Sequence, residues 1–280
     1  MTDGFALVGH RGARGLYPEN TLEGFRAAYV MGLRAVELDV GVTRDGVAMV
    51  HHDPALNPDL ARGPDGAWIA GPPPLLRTLT RAELGQFDVG RIRPGSVYAA
   101  RHPAQRPIDG ARIPTLEAVL RAEPGLAVTI EMKLLADRPD ATVAPASMAE
   151  AVLAAVRRAG AEARVGVSCF DWRGIRAMRR LCPAMPRGWL TEPATEAAAP
   201  LWWDLSKAAS APAAIAAEGG GTWFPEHSGL SRAALAEAHS SGLRVVPWTV
   251  NGMAAMARLI AWGVDGLITD RPDLAPTRLS

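Results

Sequence analysis

Ala35-Val36-Glu37-Leu38-Asp39-Val40-Gly41-Val42-Thr43-Arg44-Asp45-Gly46-Val47-Ala48-Met49-Val50-His51-His52-Asp53 is the stretch from which the rest of the chain can be read. The run Ala35–Val40 is strand-like, and Glu37 and Asp39, two residues apart on it, project from the same face. The link to the next apolar run, Val47–Val50, is too short for a crossover helix, so that run must return antiparallel as a hairpin turning near Asp45-Gly46. Counting back from the turn, His52 falls roughly opposite residues 37 to 39. Turn geometry alone thus delivers a histidine beside two carboxylates.

Working outward, Ala35–Val40 is one of eight short strand-like runs, with Ala6–Gly9, Val128–Met132, Val165–Cys169, Arg187–Leu190, Thr222–Pro225, Arg244–Thr249 and Gly266–Thr269. Helical patterns lie between them. Asn20 or Thr21 opens the first, with Leu22, Phe25 and Tyr29 on one face and Gly32 after it. Ser147 with Glu150 reads as a capping box closed by Gly160, and Ser231 to Gly242 and Asn251 to Gly263 repeat the cap-to-glycine layout. Alternating strands and helices over 280 residues fit one (β/α)8 TIM-type barrel, with an active site at the carboxyl ends of the strands. A doubly wound open sheet is the alternative. Residues 53–112, rich in Pro, Gly and Arg, break the alternation and read as a small insertion after the second-strand hairpin, a cap over the mouth of a single domain spanning 1–280.

Composition removes several function classes. Thirty basic residues against 29 acidic ones leave no global field for nucleic acid or an anionic membrane, so any taste for an anionic ligand must be local. No apolar run reaches the ~18 residues of a membrane span, and the first, Phe5 to Val8, is too short for a signal peptide. Cys169 and Cys182 are too few for a disulfide framework and read as buried small hydrophobes in a reducing, cytoplasmic protein.

In a barrel, Glu37 and Asp39 face the interior, where two unpaired carboxylates would repel and lose hydration unless a cation lies between them. One hard divalent ion, Mg²⁺ or Ca²⁺, accounts for them; a solvated edge strand is the bland alternative. Glu131 and Lys133 repeat the spacing at the end of the next barrel strand, offering a third carboxylate and a positive charge. His10 and Arg11 follow the first strand and belong to the same mouth, so two histidines converge on the acids as candidates for acid–base work. Cations plus a metal define a phosphate-sized hole. Trp248 ends another strand and is a candidate pocket wall, with core packing as its competitor. Phe170 and Trp223 hold weaker claims, and His102, His227 and His239 read as surface residues.

These residues together resemble the glycerophosphodiester phosphodiesterase family. The resemblance runs through Gly9-His10-Arg11-Gly12, Pro18-Glu19-Asn20-Thr21, Glu37-Leu38-Asp39-Val40, Thr43-Arg44-Asp45-Gly46, His52-Asp53, Ile113-Pro114-Thr115-Leu116, Glu131-Met132-Lys133, Trp248-Thr249-Val250-Asn251 and residues 263–270, in the family's order. It implies a distorted (β/α)8 barrel that cleaves small-molecule glycerophosphodiesters to glycerol 3-phosphate and an alcohol. Carried over by position, it makes Glu37, Asp39 and Glu131 metal ligands, His10 and His52 the acid–base pair, and Arg11 and Lys133 phosphate contacts. After His52-Asp53 the chain departs from the family's usual segment and reads Pro54-Ala55-Leu56-Asn57, which bears on the headgroup. The rivals are a lysophospholipase D with the same site, a silent binding barrel, and a metal-free two-carboxylate glycosidase; the last needs acids on opposed strands.

Overall fold

The computed structural model describes residues 4–203 and 208–276. Among the described residues nine strands form: β1 (Ala6–His10), β2 (Ala35–Val42), β3 (Ala48–Val50), β4 (Ala127–Met132), β5 (Val165–Cys169), β6 (Arg187–Thr191), β7 (Thr222–Pro225), β8 (Arg244–Val245) and β9 (Gly266–Thr269). Eight pair in parallel in the order β8-β7-β6-β5-β4-β2-β1-β9, with β3 hanging on β2 alone. Backbone bonds from Asp265 N to Val245 O (2.9 Å) and from Ile268 N to Pro247 O (3.0 Å) bridge the last gap. The open sheet is therefore excluded, and the barrel is nearly closed. The seventh barrel strand is shorter than its apolar run because Pro247 has no N–H to give a ladder.

Alternation along each strand sorts the core into two layers. Val36, Leu38 and Val40 are fully buried in the outer cluster that the barrel shares with its helices. Inside, Val8, Leu190, Phe224, Val246 and Ile268 form an apolar floor. His10, Glu37, Asp39 and Glu131 occupy inward positions toward the carboxyl ends, so the charges sit at the mouth.

The first helix, Leu22–Val30, starts where Thr21 Oγ1 accepts from Gly24 N (3.0 Å). Ser231 caps its helix as expected, and Gly160 and Gly263 close theirs in the left-handed conformation. Two expected caps are wrong. Ser147 lies inside the helix Pro145–Ala159, because Pro145 at its first position sets φ and moves the start upstream. Asn251 is not a cap either: Gly252 takes that place, and the Asn251 side chain is engaged elsewhere.

Residues 53–112 order around a small apolar cluster in which Leu56, Leu76, Leu84 and Val89 pack with Met49 of β3 and Ile113. Arg62 and Asp88 exchange backbone bonds there (2.9 and 3.0 Å), and Arg106 N donates to Leu16 O (2.8 Å), tying the segment to the turn after β1.

Candidate active site

The β2–β3 hairpin pairs Val40 with Val50 and Val42 with Ala48, and His51 N donates to Asp39 O (3.0 Å). This register places His52 level with Leu38, between the two acids, as counting from the turn predicts. In parallel register His10 stands beside Glu37, and Asp39 beside Glu131. The turn after β1 is compact. A methyl group on Gly9 would stand 1.9 Å from Gly12 O and 2.8 Å from Leu33 Cδ1. Gly9→Ala is therefore expected to destabilise the protein by about 1–3 kcal/mol by overpacking and to lower activity by displacing His10; unchanged melting and turnover would show that the turn relaxes freely.

Glu37, Asp39 and Glu131 are buried, and one oxygen of each lies within 4.8 Å of the others. Lys133 Nζ stands 2.5 Å from Glu131 Oε1 and 3.5 Å from Asp39 Oδ1. Arg11 Nε lies 3.1 Å from Asp39 Oδ2, while Arg11 Nη1 donates to Glu19 Oε1 (2.9 Å). Asn20 Nδ2 donates to Asp39 Oδ2 (2.9 Å). Arg11 and Asn20 hold positive φ (53° and 56°), conformations that cost energy outside glycine and here aim both side chains at Asp39.

The charges remain unbalanced. Burial, then the negative charges of Asp39 and Glu131, push Glu37 well above the ordinary carboxyl range. Burial also raises Glu131, against the pull of Lys133. Asp39 goes the other way: burial opposes its ionisation, but Arg11, His52 and Lys133 hold it well below the usual value. Glu37 Oε1 and Asp39 Oδ1 are buried without a hydrogen-bond partner among the described residues. Three clustered carboxylates with two orphaned oxygens fit a hard divalent cation.

Each histidine is backed by an aspartate. His10 Nδ1 lies 2.6 Å from Asp270 Oδ1, and Asp270 is clamped by Arg14 through Nε (2.9 Å) and Nη2 (2.9 Å) and by Asn251 Nδ2 (2.7 Å). His52 Nδ1 lies 2.7 Å from Asp53 Oδ1, which Asn57 steadies through its other oxygen (2.8 Å). An Nδ1–H held by a carboxylate leaves Nε2 of each ring free to exchange a proton. Burial, and then the cations of Arg14 for His10 and of Arg11 and Lys133 for His52, lower both rings to about 4. Water reaches the two rings unequally, with 9% of the His10 side chain exposed against 33% of the His52 side chain. Both rings bind protons more weakly folded than unfolded, so their contribution to stability is full above about 6.5 and is lost as pH falls toward 4. In the metal-free protein their NMR titrations are expected near pH 4; midpoints near 6.5 would mean a wetter mouth.

A cavity of about 310 Å³ opens among these groups, lined by His10, Arg11, Glu37, His52, Glu131 and Lys133 on one side and, on the other, by aromatic and aliphatic side chains with Glu192 and Thr195 among them. Trp248 and Phe170 are among the latter, so Trp248 both packs and faces the cavity. Asp39 is fully buried beneath. Trp223 is core, its Nε1 donating to Thr191 Oγ1 (2.9 Å). Three expectations need correction. His102 is half-buried against Tyr98 (centroids 4.9 Å) near the mouth, His227 is half-buried with its N bonded to Trp248 O (2.8 Å), and Cys182 is half-buried while Cys169 is buried.

Asp270, Arg14 and Tyr98 carry no role in the sequence reading. Asp270 follows the last barrel strand, a position that reads as functional. Tyr98 could not be placed, because its hydroxyl reaches Glu19 across 79 residues from a short helix, Val97–Arg101, in the aperiodic segment.

Comparison with known proteins follows the same lines. The model of the glycerophosphoryl diester phosphodiesterase family matches residues 10–274. A Silicibacter pomeroyi DSS-3 protein, provisionally named a glycerophosphoryl diester phosphodiesterase, superposes with a TM-score of 0.88 at 35% identity, over 98% of this chain and 92% of its own. A glycerophosphodiester phosphodiesterase of Bacillus subtilis strain 168 is 29% identical over 97% of this chain and 85% of its own length. An Oleispira antarctica phosphodiesterase, solved in complex with the product sn-glycerol-3-phosphate, shares the fold with a TM-score of 0.67 at 20% identity, over 96% of this chain and 94% of its own. No helix among the described residues is long and apolar enough to cross a membrane.

Proposed function

The chain belongs to the glycerophosphoryl diester phosphodiesterase family and is a phosphoric diester hydrolase, and from that premise we propose that it cleaves glycerophosphocholine or glycerophosphoethanolamine to sn-glycerol 3-phosphate and the free alcohol, with His10 and His52 exchanging the protons. The observation that carries this reading is the pair of aspartate-backed histidines presenting Nε2 beside three clustered carboxylates in one cavity. Arg11 and Lys133 bind the non-bridging oxygens of the phosphodiester, and Trp248 packs on substrate carbons. One imidazole Nε2 takes the proton of the nucleophile as its oxygen attacks phosphorus; water gives glycerol 3-phosphate directly, whereas the glycerol 2-hydroxyl gives a cyclic phosphate that a water then opens in a second step. The other imidazole, which is neutral in the free protein and gains its proton as the anionic diester offsets the nearby cations, gives its Nε2 proton to the departing alkoxide on the opposite side. Glu37, Asp39 and Glu131 would hold one divalent cation, Mg²⁺ or Ca²⁺, whose chemistry is to neutralise charge on the phosphoryl oxygens.

The product bound by the Oleispira relative supports glycerol 3-phosphate as the retained half. The modest cavity favours small diesters over the acyl chain of a lysophospholipase D substrate. The whole chain acts as one domain with residues 53–112 as its cap, in the cytoplasm, within glycerol and lipid metabolism. The test is glycerol 3-phosphate release from both diesters with and without EDTA. Release abolished by EDTA and restored by Mg²⁺ or Ca²⁺ is expected; EDTA-resistant turnover would remove the metal, and faster cleavage of lysophosphatidylcholine would move the substrate.

A further inference from the structure

The cavity has two halves of unlike chemistry. One carries the acids, histidines and cations. The other is built at the ends of β5 to β8 and on the short helix Ala199–Trp202, and it presents Phe170, Trp202, Phe224 and Trp248 with a single carboxylate, Glu192. Trp248 is held in place: its Nε1 donates to Phe224 O (2.9 Å), and Phe170 meets its ring at 83° with centroids 5.5 Å apart. Its N–H is therefore spent on the backbone, and what the Trp248 ring offers a ligand is its π system. Glu192 is half-buried. Burial raises its carboxyl above the ordinary range, with Lys133 of the other half pulling it down and Glu226 adding to the rise.

We propose that this aromatic half is the subsite for the alcohol arm and that it selects a quaternary ammonium alcohol, choline, through the ring faces around Trp248 and the carboxylate of Glu192. The proposal rests on the glycerophosphodiesterase reading above and deepens it. A trimethylammonium group is apolar in surface, positive in charge and has no N–H to satisfy, which is what aromatic faces with one nearby anion attract. A primary ammonium brings three donors that want acceptors. The Thr195 hydroxyl beside Glu192 already donates to Glu192 O (3.0 Å) and accepts from Glu192 N (3.1 Å). Glycerol hydroxyls would lie unpaired against the rings, and an acyl chain would strip water from Glu192 without replacing it.

The test compares glycerophosphocholine with its neohexyl ester, in which carbon replaces the choline nitrogen, using the full-length protein with Mg²⁺. The wild type is expected to favour the charged ester in kcat/KM by at least about tenfold, which is about 1.4 kcal/mol, and Glu192→Gln and Trp248→Leu each to bring the ratio toward one. Because the ratio is taken within one protein, partial misfolding of a variant cancels. Calorimetric titration with tetramethylammonium checks the subsite without catalysis, with binding expected in the wild type and weakened in Glu192→Gln. Equal turnover of the two esters, or no tetramethylammonium binding, overturns the proposal. Tetramethylammonium binding without hydrolysis of any glycerophosphodiester would instead uphold the subsite and overturn the reaction.

Discussion

Glu37→Gln is expected to lower kcat about a thousandfold and, in EDTA, to raise the melting temperature. The two effects have opposite signs because they arise from the same charge. Burial and the neighbouring Asp39 and Glu131 raise the Glu37 carboxyl well above its ordinary 4.5. A group with a raised folded pKa stabilises the fold fully at low pH and loses that contribution as pH rises through the raised value. At neutral pH without a cation, ionised Glu37 therefore works against folding, with Oε1 lacking any partner among the described residues. Glutamine imitates the protonated form and relieves the repulsion; each kcal/mol regained is worth about 2–4 °C for a chain of this size. It also replaces one of the three carboxylates that would hold the metal with a neutral, weaker amide, so several kcal/mol of transition-state charge stabilisation goes with it, on the order of a thousandfold in rate. Melting curves with EDTA and with Mg²⁺, run beside kcat, check both halves. Full activity in the variant, or a lower melting temperature in EDTA, would refute the assignment of Glu37.

His10→Asn and His52→Asn are each expected to lower kcat by about 10²–10⁴-fold, the range of a positioned acid or base. A substrate whose leaving group needs no proton separates the two roles. With p-nitrophenyl in place of the natural alcohol, the variant lacking the general acid should recover most of its loss and the variant lacking the base little. The two losses should not add in the double variant, since the pair acts as a unit. Equal rescue of both, or of neither, would mean that the histidines do not divide the work. Asn is chosen because it can still donate toward Asp270 or Asp53, so neither aspartate is left buried and unpaired.

Much of this site was legible in the sequence because it depends on strand spacing. The i, i+2 acids and the count from Asp45-Gly46 to His52 follow from pleat and turn geometry, and the observed register agrees. What resisted reading depends on long-range closure. Asp270 meets His10 across 260 positions, and no periodicity announces such a partner. Asn251 looked like a helix cap because Asn caps helices through the same side-chain chemistry by which it here holds Asp270. The segment 53–112 was legible only as an interruption, because its small core is assembled from bridges and turns without a repeat.

The distance between His10 and Asp270 bears on how the molecule is made. Glu37, Asp39, His52 and Asp53 lie within one hairpin, a unit that forms locally, and hairpins close in about 1–10 μs. His10 is completed only when β9 docks on β1, the contact of greatest sequence separation in the barrel. A folding intermediate without that last strand can hold half a mouth but not both aspartate-backed rings, so the appearance of activity during refolding is a clock for barrel closure and should lag behind the signal of secondary structure.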